Sequence, residues 1–333
     1  MMSEGNKGVA LAALTGLVIV AALGSAVVGS ARIGGADVVQ ALFAFDGSRE
    51  HLVVWTLRLP RVLAGLLCGG ALAVAGAIMQ AVTANPLASP GLFGINAGAA
   101  FAVVIAISLL GIGSSSVLVW FAFAGAGAAA VVTYAAAALG PRSGVTTRLV
   151  LAGAVLTTFL TSLTTAILIF DQTTLDAVRL WTAGSLAGRT MDQVRAVSPY
   201  MIAGLVGALL LGRHLMTLSL GATAARSVGQ HPLAWRSVAV VLVILLAGGA
   251  VALAGPISLV GLVVPHMVRM TIGFDYRWII PFCAAGGALL VLAGDTMGRL
   301  LFSNQSFPVG VTMALIGAPF FIALAHGRLG SLR

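Results

Sequence analysis

This 333-residue chain has very little charge: 8% of its residues are Asp, Glu, Lys or Arg, whereas 59% are hydrophobic. Its mean hydropathy of +1.08 is far above that of soluble globular domains. The sequence has no segment long and polar enough to form a soluble catalytic domain, and no Gly-rich phosphate loop with Lys. Any nucleotide-driven activity would therefore need an ATPase on another chain.

Candidate metal ligands and nucleophiles are also scarce. The only two cysteines, Cys68 and Cys283, fall inside apolar runs without partners at metal-ligand spacing, so we expect small buried hydrophobic residues. His266 stands near Arg269 without convergent carboxylates or cysteines, which makes a poor metal site. We predict no metal, no cofactor and no catalytic residues, and hence a protein that is not itself an enzyme.

Apolar runs long enough to cross a bilayer recur from one end of the chain to the other. They predict an all-α polytopic membrane protein, folded as one transmembrane domain over residues 1–333. About ten spans are expected, at 8–29, 60–80, 92–111, 116–139, 148–170, 192–213, 237–254, 259–272, 279–297 and 308–326.

The net charge of +9 does not indicate nucleic-acid binding, because the basic residues are not clustered with aromatic ones. They mark the ends of apolar runs instead. With the N-terminus inside, ten of the 18 Lys and Arg would lie in inner loops and eight in outer loops, a weak positive-inside bias. We therefore expect both termini in the cytoplasm.

Two arginines stand at the outer end of the second predicted span, in Arg58-Leu59-Pro60-Arg61. Their spacing puts them on one helical face or in one tight bend. They could extend to lipid headgroups, as arginines at helix ends do, or bind an acidic partner outside. The same span leads through Gln80 to a segment at 82–91 whose prolines exclude a regular helix.

Residues 220–229, between the sixth and seventh spans, consist of about two turns of small residues bracketed by Gly221 and Gly229. This pattern predicts a short helix on the inner surface. It could transmit movement from a partner, or it could be only a cytoplasmic loop helix.

Hydroxyl groups are unusually frequent in the fifth span. Thr157, Thr161 and Thr164 share a face at helical spacing, and Thr165 lies beside them. These groups could bond to their own helix or a neighbouring one, or line a polar path for a large substrate. A short amphipathic helix and a Gly-bounded turn are predicted next, at 171–189.

Several of these motifs together resemble the FecCD family, the permeases of ABC importers for iron chelates, haem and vitamin B12. The resemblance extends over nearly the whole chain and implies a type II ABC importer permease fold, most like ferric-siderophore permeases. It is carried by the Arg58–Arg61 motif, Gln80, Asn85-Pro86-Leu87-Ala88, Gly261 to His266 with Arg269, Pro308-Val309-Gly310, and Gly317 to Phe321.

The resemblance also implies roles for particular residues. An arginine after the ninth span would join the first two in docking to glutamates of a binding protein, although Asp295 could instead neutralise Arg299 at i, i+4 spacing. The segment at about 214–236 would couple to the ATPase. The residues implied are Arg58, Arg61 and Arg299 for docking; Leu220, Gly221, Ala225, Arg226 and Gly229 for coupling; Thr157, Thr161, Thr164, Thr165 and Arg179 for the translocation path; and Thr146 and Thr147 for the inner gate.

Arg179 has two interpretations at the outer mouth. It could attract an anionic iron chelate, or it could pair with Asp176 or Asp171. One position departs from the family pattern: Ser306 stands where many relatives carry a glutamate, two residues before Pro308.

The sequence thus predicts a permease subunit in a bacterial cytoplasmic membrane. The resemblance implies three kinds of protein partner: a cytoplasmic ABC ATPase dimer, a second permease that is identical or homologous, and a periplasmic or lipid-anchored binding protein. The expected cargo is a ferric siderophore, with haem or vitamin B12 as alternatives. An ion-coupled transporter would need ionisable groups in mid-membrane, which the spans nearly lack, and an intramembrane enzyme would need a catalytic pair.

Overall fold

The computed structural model describes residues 3–29, 33–139, 144–302 and 307–325, and every regular element in these ranges is helical. Two π-helical segments, Val54–Arg58 and Ile244–Gly248, and one 3-10 helix, Pro90–Phe93, interrupt or join the α-helices. The α-helices are α1 (Glu4–Val27), α2 (Gly35–Phe43), α3 (Arg49–Val53), α4 (Leu59–Thr83), α5 (Ile95–Ser108), α6 (Ser115–Ala138), α7 (Val145–Phe170), α8 (Gln172–Thr182), α9 (Met191–Leu210), α10 (Gly212–Ser219), α11 (Ala222–Ser227), α12 (Pro232–Val243), α13 (Gly249–Ala254), α14 (Val260–Ile272), α15 (Tyr276–Leu301) and α16 (Val309–Ala325).

Ten of these helical stretches correspond to the ten predicted spans. Seven are long and apolar enough to cross a membrane, and α5, α14 and α16 are shorter apolar helices. This arrangement confirms the prediction of an all-α polytopic membrane protein of about ten spans.

Helix α4 runs through the middle of the bundle and is buried along nearly all of its length. Its most extensive neighbour is α15, and α14, α9 and α13 pack on its other sides. Small residues bring the backbones together: a methyl group on Gly69 would overlap the Gly287 carbonyl, and one on Gly76 would overlap that of Gly261. Such close approach is how helices associate where water supplies no hydrophobic driving force.

We call the two ends of the bundle the Arg61 end and the Gln80 end, after residues near the start and the end of α4. Antiparallel α15 starts near the Gln80 end and finishes near the Arg61 end, where its Asp295 bonds to Arg61. Beyond Gln80, α4 terminates at Ala84, which has a left-handed backbone, and a turn leads to the 3-10 helix. This break confirms that residues 82–91 do not form a regular helix.

Helices α1 and α7 lie at the periphery and expose most of their apolar side chains, as lipid-facing or partner-facing helices would. α1 packs chiefly on α15, and α7 packs on α5 and α6. Leu17 and Val20 are exposed on α1, as are Val155 and Phe159 on α7.

One boundary differs from the sequence prediction. The second span was expected to begin at residue 60, after a polar loop, but helical structure continues without a break from Arg49 to Thr83 over 35 residues. The π-helical turn before Pro60 allows this, because the Leu59 N–H donates to the Val54 carbonyl and the helix passes a residue that has no N–H. Arg58 and Arg61 therefore lie within a continuous helix rather than at its end.

Candidate functional site

The three arginines expected to dock a partner come together at the Arg61 end of the bundle. Arg61 binds the Asp295 carboxylate through two nitrogens, with Nε 2.9 Å from Oδ2 and Nη2 2.7 Å from Oδ1. Arg299, one helical turn after Asp295, brings its Nε to 3.1 Å from Oδ2 of the same carboxylate. The pairing of Asp295 with Arg299 that the sequence allowed is therefore present, and Arg61 shares it.

Arg58 and Arg299 also bind the last turn of α1. Arg58 Nη1 donates to the carbonyls of Ala26 and Val27, at 2.6 Å each. Arg299 donates to the Ser25 carbonyl at 3.0 Å, to the Ser25 hydroxyl at 2.6 Å, and to the Val28 carbonyl. The cluster thus joins α1, α4 and α15.

All three arginine side chains are largely buried. The Arg58 residue is 6% exposed, and the Arg61 and Arg299 side chains are 14% and 11% exposed. Burial is possible because one carboxylate and several helix-end carbonyls accept their hydrogen bonds. The sequence could not identify these acceptors, since α1 ends about thirty residues before Arg58.

The predicted amphipathic helix at the same end is confirmed as α8. The Asp171 carboxylate caps it, accepting bonds from the Thr174 hydroxyl at 2.6 Å and the Thr174 N–H at 3.0 Å. These bonds hold the pKa of Asp171 well below its ordinary value. Arg179 is exposed, and none of the ion pairs among the described residues joins it to Asp171 or Asp176.

The loop after α8 is fixed by backbone contacts. Arg189 Nη1 donates to the Leu253 carbonyl at 3.2 Å, near the end of α13, and Ser185 N donates to the Ala254 carbonyl at 2.8 Å. A mainly apolar cavity of about 110 Å³ lies beside Arg189 and Trp181. The sequence did not identify a role for Arg189, because a basic residue near the end of a span is an unspecific signal.

The threonines of α7 do not all face the same way. Thr161 and Thr165 are exposed, whereas Thr157 is half-buried and Thr164 is 8% exposed. The Thr164 hydroxyl donates to the Leu160 carbonyl of its own helix. The predicted face therefore straddles the edge between the buried and open sides of α7, and Thr161 and Thr165 belong to the open side.

The predicted inner-gate residues are at the Gln80 end. Thr146 and Thr147 lie in the first turn of α7, half-buried and exposed respectively, after the left-handed Gly144. Nearby Arg148 Nε donates to the Ala137 carbonyl at 3.0 Å and ties the start of α7 to the end of α6.

A partly buried polar contact also connects α4 and α14 at the Gln80 end. The Gln80 amide oxygen accepts a hydrogen bond from Arg269 of α14, and its nitrogen lies 3.5 Å from the Gly261 carbonyl. The sequence pointed to Gln80 and Arg269 as polar residues in or beside apolar spans. The sequence could not predict that they pair, because 189 positions separate them.

The predicted surface helix is α11, at the Gln80 end. Gly221 and Gly229 bracket it, each with positive φ. Its end is a Schellman motif, since Gln230 N donates to the Ala225 carbonyl and Gly229 N to that of Arg226.

The coupling candidates differ in what they could touch. Leu220 is 70% exposed and Arg226 is exposed, but Ala225 is fully buried. Ala225 can therefore seat α11 on the bundle but cannot contact a partner. Val228, which follows α11 and was not among the predicted coupling residues, is 66% exposed.

The segment with α10 and α11 lies far from the arginine cluster. Gly212, at the start of α10, packs against Arg277 in the first turn of α15. Arg299 is 22 residues further along the same helix, which is roughly 33 Å at 1.5 Å per residue. The two candidate partner sites are thus at opposite ends of the bundle. Ser306, the departure from the family pattern, lies outside the described residues.

Comparison with known proteins gives consistent matches over nearly the whole chain. The model of the FecCD transport family matches residues 17–327. A Bacillus subtilis (strain 168) protein described as a probable siderophore transport system permease, YfiZ, is 41% identical over 322 residues, covering 96% of each chain.

Two further relatives differ in their named cargo. The ferric enterobactin permease FepD of Escherichia coli (strain K12) is 38% identical, covering 97% of this chain and 96% of its own. The vitamin B12 permease BtuC of Salmonella schwarzengrund (strain CVM19633) is 37% identical, covering 94% of both. A solved inward-facing structure of a metal-chelate type ABC transporter matches with a TM-score of 0.82 at 26% identity, over 96% of this chain and 99% of that one.

Proposed function

The chain belongs to the FecCD transport family, and we propose that it carries a ferric siderophore across the bacterial cytoplasmic membrane as the permease of a binding-protein-dependent importer. It is a multi-pass membrane permease of the ABC transporter class. ATP hydrolysis is proposed to reside in a separate cytoplasmic ATPase dimer, and the chain itself to be non-catalytic.

The observation that carries the proposal is the separation of two chemically different surfaces across the bundle. The Gln80 end presents α11 with exposed Leu220 and Val228, suited to an apolar cleft on a protein. The Arg61 end has a cluster of three guanidiniums and one carboxylate, a net positive charge suited to an acidic partner. We assign the Gln80 end to the cytoplasm, with both termini, and the Arg61 end to the exterior.

The proposed path lies along the open side of α7. Thr161 and Thr165 supply hydroxyls on a side of α7 that the described residues of this chain leave uncovered. A second permease subunit, identical or homologous, would face this side and complete a polar route. Arg179, exposed on α8, would attract an anionic chelate at its mouth, and Thr146 and Thr147 would narrow its cytoplasmic end.

Transport follows from alternating access in this arrangement. ATP binding changes the relative stability of the outward- and inward-facing states through the segment at 214–236, because the ATPase binds the two states with different affinity. The binding protein supplies tight capture, and so the path itself can bind the cargo weakly.

The cargo assignment rests on relatives named for siderophore, enterobactin and ferric citrate transport, at 38–41% identity. Haem and vitamin B12 are the competing cargoes, the latter supported by the 37% identity to BtuC. Reconstitution in liposomes with the cognate ATPase and binding protein distinguishes them. ATPase activity should rise with ferric siderophores and stay basal with haem and cobalamin; stimulation by cobalamin alone would reassign the cargo, and uptake without any ATPase would refute the importer.

A further inference from the structure

We propose that the three clustered arginines divide two tasks: Arg58 and Arg299 cap α1, and Arg61 alone contacts the acidic group of the external partner. This division rests on the proposed docking of a binding protein at the Arg61 end. It assigns unequal roles to residues that the family resemblance treats as equivalent.

The end of α1 shows why two arginines are committed elsewhere. The last four carbonyls of an α-helix have no partner within the helix. In α1 the Gly24 carbonyl accepts the Val28 N–H at 3.1 Å, and Gly29, which follows the C-cap residue Val28, does not have the positive φ of a Schellman cap. The next three carbonyls, of Ser25, Ala26 and Val27, all accept hydrogen bonds from guanidinium groups.

These bonds make Arg58 and Arg299 costly to move. Their positive charge lies at the negative end of the α1 dipole, where a cation is stabilised. A partner carboxylate that drew either side chain away would leave helix-end carbonyls unpaired among apolar neighbours. Arg299 is held further by the Ser25 hydroxyl and by Asp295.

Arg61 is held differently, because it makes no bond to α1. Asp295 occupies the edge formed by Nε and Nη2, and Nη1 makes no hydrogen bond with any residue in the described ranges. A guanidinium can bind two carboxylates at once, one on each edge. Asp295 is 1% exposed and Arg61 is 14% exposed, so the internal carboxylate fixes the side chain while a second edge is left for an external one.

The local charge favours an acidic occupant. Arg61 and Arg299 share the Asp295 carboxylate, and the Arg58 guanidinium lies on the end of α1, so the cluster has three positive charges and one negative charge. A glutamate or aspartate from the partner would offset part of that excess. It would also gain a charge-assisted, two-point hydrogen bond with the Nη1 edge of Arg61.

The test measures docking and the order of α1 separately, in the complete importer embedded in nanodiscs. The cognate binding protein is titrated for affinity, and amide hydrogen exchange is followed at residues 24–28. We expect R61Q to weaken docking about tenfold or more without changing this exchange. R299Q should speed the exchange at residues 24–28. It should weaken docking by less than about threefold, which is the effect expected from losing one positive charge anywhere on this surface.

Two further variants keep the test decisive. R195Q removes one positive charge from exposed Arg195 of α9 and calibrates the general charge effect. S25A deletes only the Ser25 hydroxyl that Arg299 contacts, so it should speed exchange with docking unchanged even if R299Q does not assemble.

The outcomes separate this inference from the docking proposal. Equal weakening by R61Q and R299Q, or unchanged exchange in both S25A and R299Q, would overturn the division of roles. If R61Q and R299Q weaken docking no more than R195Q does, the docking proposal itself is overturned, and with it the role of Arg61.

Discussion

Gly69 of α4 and Gly287 of α15 pack backbone against backbone, so that a methyl group on either would overlap the carbonyl oxygen of the other. This crossing lies near the middle of both helices, and it belongs to the most extensive helix pair in the bundle. Both residues are helical with ordinary φ, and so glycine is needed here for space rather than for conformation.

Substitution of either glycine by alanine should therefore force α4 and α15 apart. We expect Gly69→Ala and Gly287→Ala each to destabilise the chain by about 1–3 kcal/mol or more, the range for overpacking in a close-packed core. Thermal denaturation in detergent would measure this as a lowered Tm. Gly16→Ala on α1 is the matched control, because a methyl group there meets nothing within 4 Å. An equal loss in the control would contradict the packing explanation.

The contact between buried Gln80 and half-buried Arg269 predicts a second stability effect. Gln80→Leu keeps roughly the same volume but removes the oxygen that accepts the Arg269 bond. Leaving the half-buried guanidinium without that acceptor should cost about 1–3 kcal/mol. Gln40→Leu, at an exposed position on α2, serves as the control in the same denaturation assay. A variant as stable as wild type would show that the contact contributes nothing.

The exposed apolar residues beside α11 predict where the ATPase binds. Leu220→Ser and Val228→Ser should each weaken association by about 1–2 kcal/mol, since each side chain would lose apolar burial at the interface. Titration of the ATPase against the permease in nanodiscs measures the change. Leu110→Ser, 58% exposed and following α5 at the Arg61 end, should leave affinity unchanged. If Leu110→Ser is the more damaging variant, the assignment of the Gln80 end to the cytoplasm is wrong.

The cap of α8 predicts a pH dependence. Bonds from Thr174 lower the folded-state pKa of Asp171 below its ordinary 3.8. A lowered folded pKa stabilises α8 fully above pH 3.8, and this stabilisation is lost as the pH falls below that value through the folded pKa. The protection of the amide hydrogens at residues 172–182, measured relative to the intrinsic exchange rate at each pH, should therefore fall in that acidic range. Asp171→Asn should exchange faster than wild type at neutral pH and respond less to acid; an identical response in both proteins would exclude this carboxylate as the cause.

Much of the fold could be predicted because it depends on local chemistry. Apolar runs of membrane length identified the spans, and Gly221 and Gly229 marked the limits of α11 through a backbone conformation that only glycine adopts readily. The prolines after Gln80 located the break that follows α4 in the same way. None of these inferences required knowledge of the tertiary structure.

The candidate sites were harder to predict because they depend on which helices become neighbours. The sequence grouped Thr157, Thr161 and Thr164 correctly by angle, but only the packing of α7 on α5 and α6 divides that face into buried and open parts. Likewise, the acceptors of Arg58 and Arg299 belong to α1, and nothing local in the arginine motif identifies them. Polar residues and a pair within one helix, Asp295 with Arg299, could be located in the sequence, but partners on other helices could not.

The central position of α4 has a consequence for how a bulky chelate could cross. Alanine and glycine fill the middle of this subunit with backbone, and so a molecule of several hundred daltons has no lumen to enter there. Under the proposed function, such a molecule would pass beside the subunit, along the side of α7 that carries Thr161 and Thr165. One copy would then form half of the passage, and a second permease subunit would supply the other half.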